Sequence, residues 1–140
     1  MAFVLDASVT MRWLTKDGSP ADLVYANYIL DQFLDPTMSI HVPSHWPLEI
    51  TNVILRSERL GVIDETASEN FLNTLQLAPL MIDLATAENA FKDTLTLARN
   101  HRLTPYDAAY LELAMRLSVP LATLDKGLRR AAEAAGVPLA

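Results

Sequence analysis

Four carboxylates, Asp6, Glu49, Asp107 and Asp125, are the residues whose types and positions in this sequence could do chemistry together. Asp6 follows the apolar run Phe3 to Leu5, and Asp125 follows Leu121-Ala122-Thr123. Asp107 falls in the first turn of a helix opened by Thr104-Pro105, and Glu49 lies in a helix after Ile40-His41-Val42. Carboxylates that converge on one point repel strongly in a low-dielectric cleft, and a bound divalent cation offsets that repulsion. Oxygen-only ligands suit Mg²⁺ or Mn²⁺. A hard cation held by acids suits phosphoryl chemistry, because it activates a water and stabilises charge on the attacking and leaving oxygens.

Each acid also has a plainer reading. Asp6 and Asp125 are placed to cap helices and Asp107 sits three residues after Thr104, roles worth about 1 kcal/mol each. Glu49 falls about 70° from the centre of the stripe Trp46, Ile50, Val53, Ile54 and Leu60, so it is half buried and needs a partner. Arg56, two turns on, would supply a surface ion pair. Capping and metal binding are compatible, since a helix N-terminus favours the ionised carboxylate that a metal requires. The common phosphate and hydrolase signatures GxGxxG, GxxxxGK[ST], GxSxG and HExxH are absent. With no Cys, thiolate-ligated zinc, iron–sulfur clusters and a Cys nucleophile are excluded, and a reducing cytoplasm is the default compartment. His41, His45 and His101 are not spaced as a metal triad. Trp13 and Trp46 stand among apolar neighbours and read as core or interface anchors.

The elements that must position these acids read as one domain over residues 1–140, a length that buries about two-thirds of the unfolded surface. The opening MAFVLDASV lacks the basic n-region of a signal peptide, and no stretch approaches the ~20 apolar residues of a membrane span. Strand-like runs at Phe3–Leu5, Ile40–Val42, Leu80–Ile82 and Leu121–Thr123 alternate with amphipathic helices. The helices are expected over 7–14, 21–33, from about 45 to a stop at Gly61, 64–77, 86–100, 104–117 and 125–135. Gly136 to Leu139 reads as a last edge strand. This alternation predicts a three-layer α/β fold, with a mostly parallel, short-stranded sheet flanked by helices. Ligands of such sheets bind beyond the carboxyl ends of the strands, where three of the four acids fall.

The segments VLDASV, PLEITNVI, LTPYDAAYLELA and LATLDKGLRRAA, carrying Asp6, Glu49, Asp107 and Asp125 in that order, resemble those of PIN-domain ribonucleases, and among them the VapC-type toxins of toxin–antitoxin pairs. The resemblance implies a PIN-like fold and endonucleolytic cleavage of RNA with Mg²⁺ or Mn²⁺. It also implies that Asp6 and Asp107 ligate the metal, with Glu49 and Asp125 completing the site directly or through water. Ser8 and Thr123 match small hydroxyl positions that support the first and last acids. For either hydroxyl alone, a local backbone hydrogen bond is the commoner role. A homodimer is implied too, as is a cognate antitoxin of the VapB kind whose tail covers the active-site groove and often brings an Arg or Lys to the acids.

Charge bears on the substrate. Seventeen acids against eleven Lys and Arg give −6, which at first argues against nucleic acid. The imbalance is local: residues 1–98 hold 5 basic and 13 acidic side chains, and residues 99–140 hold 6 and 4. Lys126, Arg129 and Arg130 follow Asp125 on one helix and are the expected RNA phosphate contacts, confined with metal-free binding to the surface of 99–140. Four functions compete with a toxin nuclease. A receiver-type signalling domain binds Mg²⁺ but needs an early acidic pair and a supported mid-chain Asp, where this chain has Asp83 alone. A phosphatase with an Asp nucleophile needs an Asp two places on, where Ser8 stands. The others are a non-catalytic interaction domain and a housekeeping PIN nuclease without an antitoxin.

Overall fold

A computed structural model describes residues 1–140. Its four strands, β1 (Ala2–Leu5), β2 (Ser39–Val42), β3 (Leu80–Ile82) and β4 (Leu121–Ala122), pair in the order β3-β2-β1-β4, all parallel. Parallel neighbours need long crossovers, and helices supply them. These are α1 (Ala7–Leu14), α2 (Pro20–Leu34), α3 (Trp46–Arg59), α4 (Glu65–Leu75), α5 (Thr86–Asn89), α6 (Leu95–His101), α7 (Pro105–Leu117) and α8 (Lys126–Ala134). The α/β class and the parallel sheet expected from the alternation are those observed.

Sequence chemistry explains where the helices begin and end. Ser19 and Asp22 cap α2 reciprocally, the Ser19 hydroxyl accepting from the Asp22 amide and the Asp22 carboxylate from the Ser19 amide, with Pro20 at the first helical position. Asp64, Thr104 and Asp125 accept from backbone amides three residues on and open α4, α7 and α8. At the end of α3, Gly61 adopts φ +69°, so that its amide bonds Glu58 O and the Val62 amide bonds Ser57 O. That pair of bonds stops the helix where a residue with a Cβ would be strained.

Strand β1, inside the sheet, is covered on both faces, which suits its uninterrupted apolar run: Phe3, Val4 and Leu5 are all fully buried, whereas Met81 and Ile82 of edge strand β3 stay exposed. Beside it, α7 is buried all round from Ala108 to Ala114. That stretch includes Glu112, only 3% exposed, whose charge Arg116 Nε offsets at 2.7 Å. The same guanidinium donates to both oxygens of Asp83, at 3.1 and 2.7 Å, and so ties α7 to the loop leaving β3. Asp83 is thereby engaged in a structural bridge.

Two expected elements differ. Residues Gly136 to Leu139 form an isolated parallel bridge, Leu139 with Leu121, rather than a strand. Pro138 has no N–H to continue a ladder, so the pairing is reduced to Leu121 N to Pro138 O and Ala140 N to Leu121 O. The helix expected over 86–100 is broken by a kink within Ala90–Thr94, where Lys92 leaves helical geometry (φ −110°, ψ −114°), so that two shorter helices meet there. Thr94 is buried while Phe91 points out.

The Arg116 bridge gives a stability test. Arg116→Ala leaves Glu112 buried without its cation and is expected to cost on the order of 3 kcal/mol. Urea denaturation checks this, and Arg116→Lys, which lacks the two-pronged geometry, should recover only part of the loss.

Candidate active site

The strand order creates the site. From β1 the chain runs to β2 on one side, and β4 closes on the other, so the connectivity changes direction between β1 and β4. In parallel sheets that is where a crevice opens at the carboxyl ends of the strands. Register sets the pairing there: Leu5 lies beside Ala122, and the Asp6 amide donates to Ala122 O at 2.9 Å. The next residues on each strand, Asp6 and Thr123, therefore come together.

Asp6 is 4% exposed, and its Oδ2 accepts from Ser8 Oγ at 2.6 Å and from Thr123 Oγ1 at 2.7 Å. Each hydroxyl also accepts a backbone amide, Ser8 Oγ from Leu124 and Thr123 Oγ1 from Asp125, and the two hydroxyl oxygens lie 3.3 Å apart. An ionised carboxylate only accepts, so the hydroxyls are the donors to it. Asp6 Oδ1 takes no protein hydrogen bond. Asp6 opens α1 in the N-cap position but makes no side-chain cap bond, so the capping reading does not describe it. For Asp125 it does, since Oδ1 accepts from the Leu128 amide at 2.8 Å. At Asp107 the capping oxygen is that of Thr104, which accepts from the Asp107 amide, and the Asp107 carboxylate forms no ion pair.

Glu49 differs from expectation in its partners. Its Oε1 accepts from Tyr110 Oη at 2.6 Å and lies 3.1 Å from His45 Nε2, and no bridge to Arg56 forms. Both partners come from helical spacing. His45 is one turn before Glu49, and Tyr110 is one turn after Asp107, so the helix that carries one acid holds the other in place. That i−4 and i+3 spacing was the available signal for His45 and Tyr110. The His45 ring also packs edge-on against Tyr106 and Tyr110, at 5.6 and 5.4 Å between centroids.

Asp6, Glu49, Asp107 and Asp125 line one open cleft of about 280 Å³, with Ser8, Asn52 and Arg56 beside them. Their proximity is felt electrostatically. Burial pushes the Asp6 carboxyl up to about 6, with Asp107 and Glu49 adding to the rise and the Ser8 and Thr123 hydroxyls opposing it. Asp107 is raised as well, by burial first and then by Asp125 and Glu49. No three acids or histidines are close enough together to clasp one ion directly. All-oxygen donors that stand somewhat apart fit a cation such as Mg²⁺, which keeps several waters and takes one or two carboxylates.

The basic residues expected near Asp125 lie elsewhere in part. Arg129 Nε donates to Thr123 O at 2.7 Å, and its guanidinium lies 4.7 Å from the centre of the Tyr25 ring, so this cation holds α8 to the strand end. Lys126 and Arg130 are exposed. Of the tryptophans, Trp46 is buried in the core, and Trp13 packs against Phe33 with its Nε1 donating to Ala26 O.

This fold and this cleft define a class. The chain belongs to the PIN domain family, whose profile matches residues 3–134. It is similar to Ribonuclease VapC3 of Pyrobaculum aerophilum, 32% identical over 80 residues, a stretch that makes up 57% of this chain and 61% of that protein's length. It is also similar in fold to PAE2754 from Pyrobaculum aerophilum, with a TM-score of 0.66 at 22% identity over 94% of this chain and 87% of that one. No helix is long and apolar enough to cross a membrane.

The raised acids make a pH prediction for the metal-free protein. A group whose pKa is higher folded than unfolded stabilises the fold below its ordinary value, here 3.8, and that stability is lost as pH rises through the folded value, about 6 for Asp6. Relative to wild type, Asp6→Asn should therefore gain up to roughly 3 kcal/mol near neutrality and nothing below about pH 4. Urea titrations in chelator across that range check it.

Proposed function

We propose that this chain is a divalent-metal-dependent endoribonuclease that acts as the toxin of a toxin–antitoxin pair. The observation that carries the reading is the gathering of Asp6, Glu49, Asp107 and Asp125 on one cleft at the strand ends, with Ser8 and Thr123 both committed to Asp6. Membership of the PIN family and similarity to Ribonuclease VapC3 support it.

Asp6 and Asp107 are assigned as direct ligands of Mg²⁺ or Mn²⁺, with Glu49 and Asp125 completing the site directly or through water. Bound there, the cation supplies a Lewis acid for a phosphoryl oxygen and lowers the pKa of water. Asp6 presents Oδ1 to the cleft while the two hydroxyls hold Oδ2, which fixes the carboxylate plane. Glu49 Oε2 and Asp125 Oδ2 accept no protein hydrogen bond, and they are the oxygens available to orient an attacking water and take its proton. Tyr110, whose hydroxyl is kept protonated by burial and by the neighbouring Asp6 and Glu49 charges, holds Glu49 Oε1.

The partners follow from the same reading. A cognate antitoxin would offset the acid cleft with a basic side chain, as the cation does in the active enzyme. A homodimer is part of the proposal, as is RNA contact by Lys126 and Arg130. Incubation of purified protein with mixed RNA and Mn²⁺ should give cleavage that chelator abolishes. Asp6→Asn should lower the rate by a factor on the order of 10³ while the protein stays folded. Full activity in that variant would sink the assignment, and phosphate transfer from acetyl phosphate to an Asp would favour the receiver.

A further inference from the structure

We infer that the groove between α1 and α3 is a binding track for the phosphate backbone of single-stranded RNA leaving the acid cleft, with Arg56 and Lys16 as its phosphate contacts. The inference rests on the nuclease reading and goes beyond it, since the basic residues by which that reading would hold RNA lie on α8.

The acid cleft does not end at Glu49. It continues into a groove of about 650 Å³, and the two share Met11, Asn52, Val53 and Arg56 as common walls. On α3 the residues Glu49, Asn52, Val53 and Arg56 recur at three, four and seven places, so they form one face running from the acids into the groove. Arg56 lies about 10 Å further along the helix axis than Glu49. A cation at that distance meets a phosphate neighbouring the one at the acids.

The charge of this groove opposes that of its surroundings. Residues 1–98 hold five cations against thirteen acids, yet three of the five, Arg12, Lys16 and Arg56, line this one groove. Its sole acid is Asp17, which already accepts from Arg12 and from Thr15 Oγ1. That leaves Arg56 and Lys16 exposed and without carboxylate partners in a region otherwise rich in acids. An unpaired Arg whose side chain opens onto an acid cleft is poised for a ligand that carries its own negative charge. Asn52, one turn before Arg56 on the same face, adds an amide donor. A basic peptide tail would meet like charge along this wall, and an RNA strand meets opposite charge.

The test measures binding apart from cleavage. In an Asp6→Asn background, fluorescence anisotropy of a labelled single-stranded RNA of mixed sequence gives Kd across a salt series. Arg56→Ala and Lys16→Ala are each expected to weaken binding about tenfold. Each should also make the slope of log Kd against log salt shallower by about 0.7. Arg56→Lys should recover most of the slope. Arg59→Ala, an exposed cation of α3 outside the groove, should change neither quantity appreciably. Unchanged thermal midpoints establish that the variants are folded. Wild-type-like affinity and slope in the Arg56 and Lys16 double variant overturn the track, and an equal loss in Arg59→Ala overturns it as a diffuse charge effect. Mn²⁺ cleavage by the unsubstituted protein is scored separately: binding without cleavage refutes the nuclease reading alone, and cleavage with no effect of the Arg56 and Lys16 substitutions on binding refutes the track alone.

Discussion

A carboxylate that is 4% exposed has lost most of its hydration, and the site depends on how Asp6 is held in spite of that. Two hydroxyls donate to one of its oxygens, and two backbone amides, those of Leu124 and Asp125, in turn donate to those hydroxyls and hold them in place. Those amides belong to the segment leaving β4, and Asp6 itself leaves β1, so the network exists only while the two strands are paired in register. A slip of one residue would turn Asp6 to the opposite face of the sheet. Two donors do not bring the carboxyl back to its ordinary acidity. Its pKa stays near 6, above the unperturbed value, and Asp107 is raised with it. The protein thus stores unfavourable electrostatics at this point, which a cation can relieve.

The rest of the molecule places three further acids against that one. α7 brings Asp107 by its first turn and Tyr110 by the next, so a single capped helix both contributes an acid and fixes Glu49 across the cleft. α3 brings Glu49 and continues outward as the wall carrying Asn52 and Arg56. Asp125 caps α8 with one oxygen and keeps the other free. Arg129, expected among RNA contacts, instead bonds the Thr123 carbonyl and packs on Tyr25, which steadies the residue that donates to Asp6. The Asp83–Arg116–Glu112 bridge lies apart from the cleft and anchors the buried α7 to the far side of the sheet.

Much of this was legible in the sequence, for particular physical reasons. Caps announced themselves at Ser19, Asp64, Thr104 and Asp125, because those side chains act on amides three residues away. The four acids stood out through their places beside strand ends and helix openings. What escaped was set by three-dimensional neighbours. The partners of Glu49 were mistaken because Arg56 shares its helix face, whereas Tyr110 arrives from α7, sixty-one residues on. The role of Arg129 depended on Tyr25, which nothing near it in sequence suggested. The break at Lys92 and the loss of the last strand to a single bridge were hidden because apolar periodicity does not report a backbone kink or a missing amide donor.

On the proposed function, buried Asp6, whose carboxyl is pushed up to about 6, and the three acids beside it are the seat of a divalent cation. Calorimetric titration of Mn²⁺ into the protein, repeated in buffers of different ionisation enthalpy, tests it directly by counting the protons released on binding. The expected result is saturable binding that releases close to one proton per cation near pH 5.5, far less near pH 7.5, and is lost in Asp6→Asn. Binding that releases no proton near pH 5.5, or that is equally tight in Asp6→Asn, would contradict it.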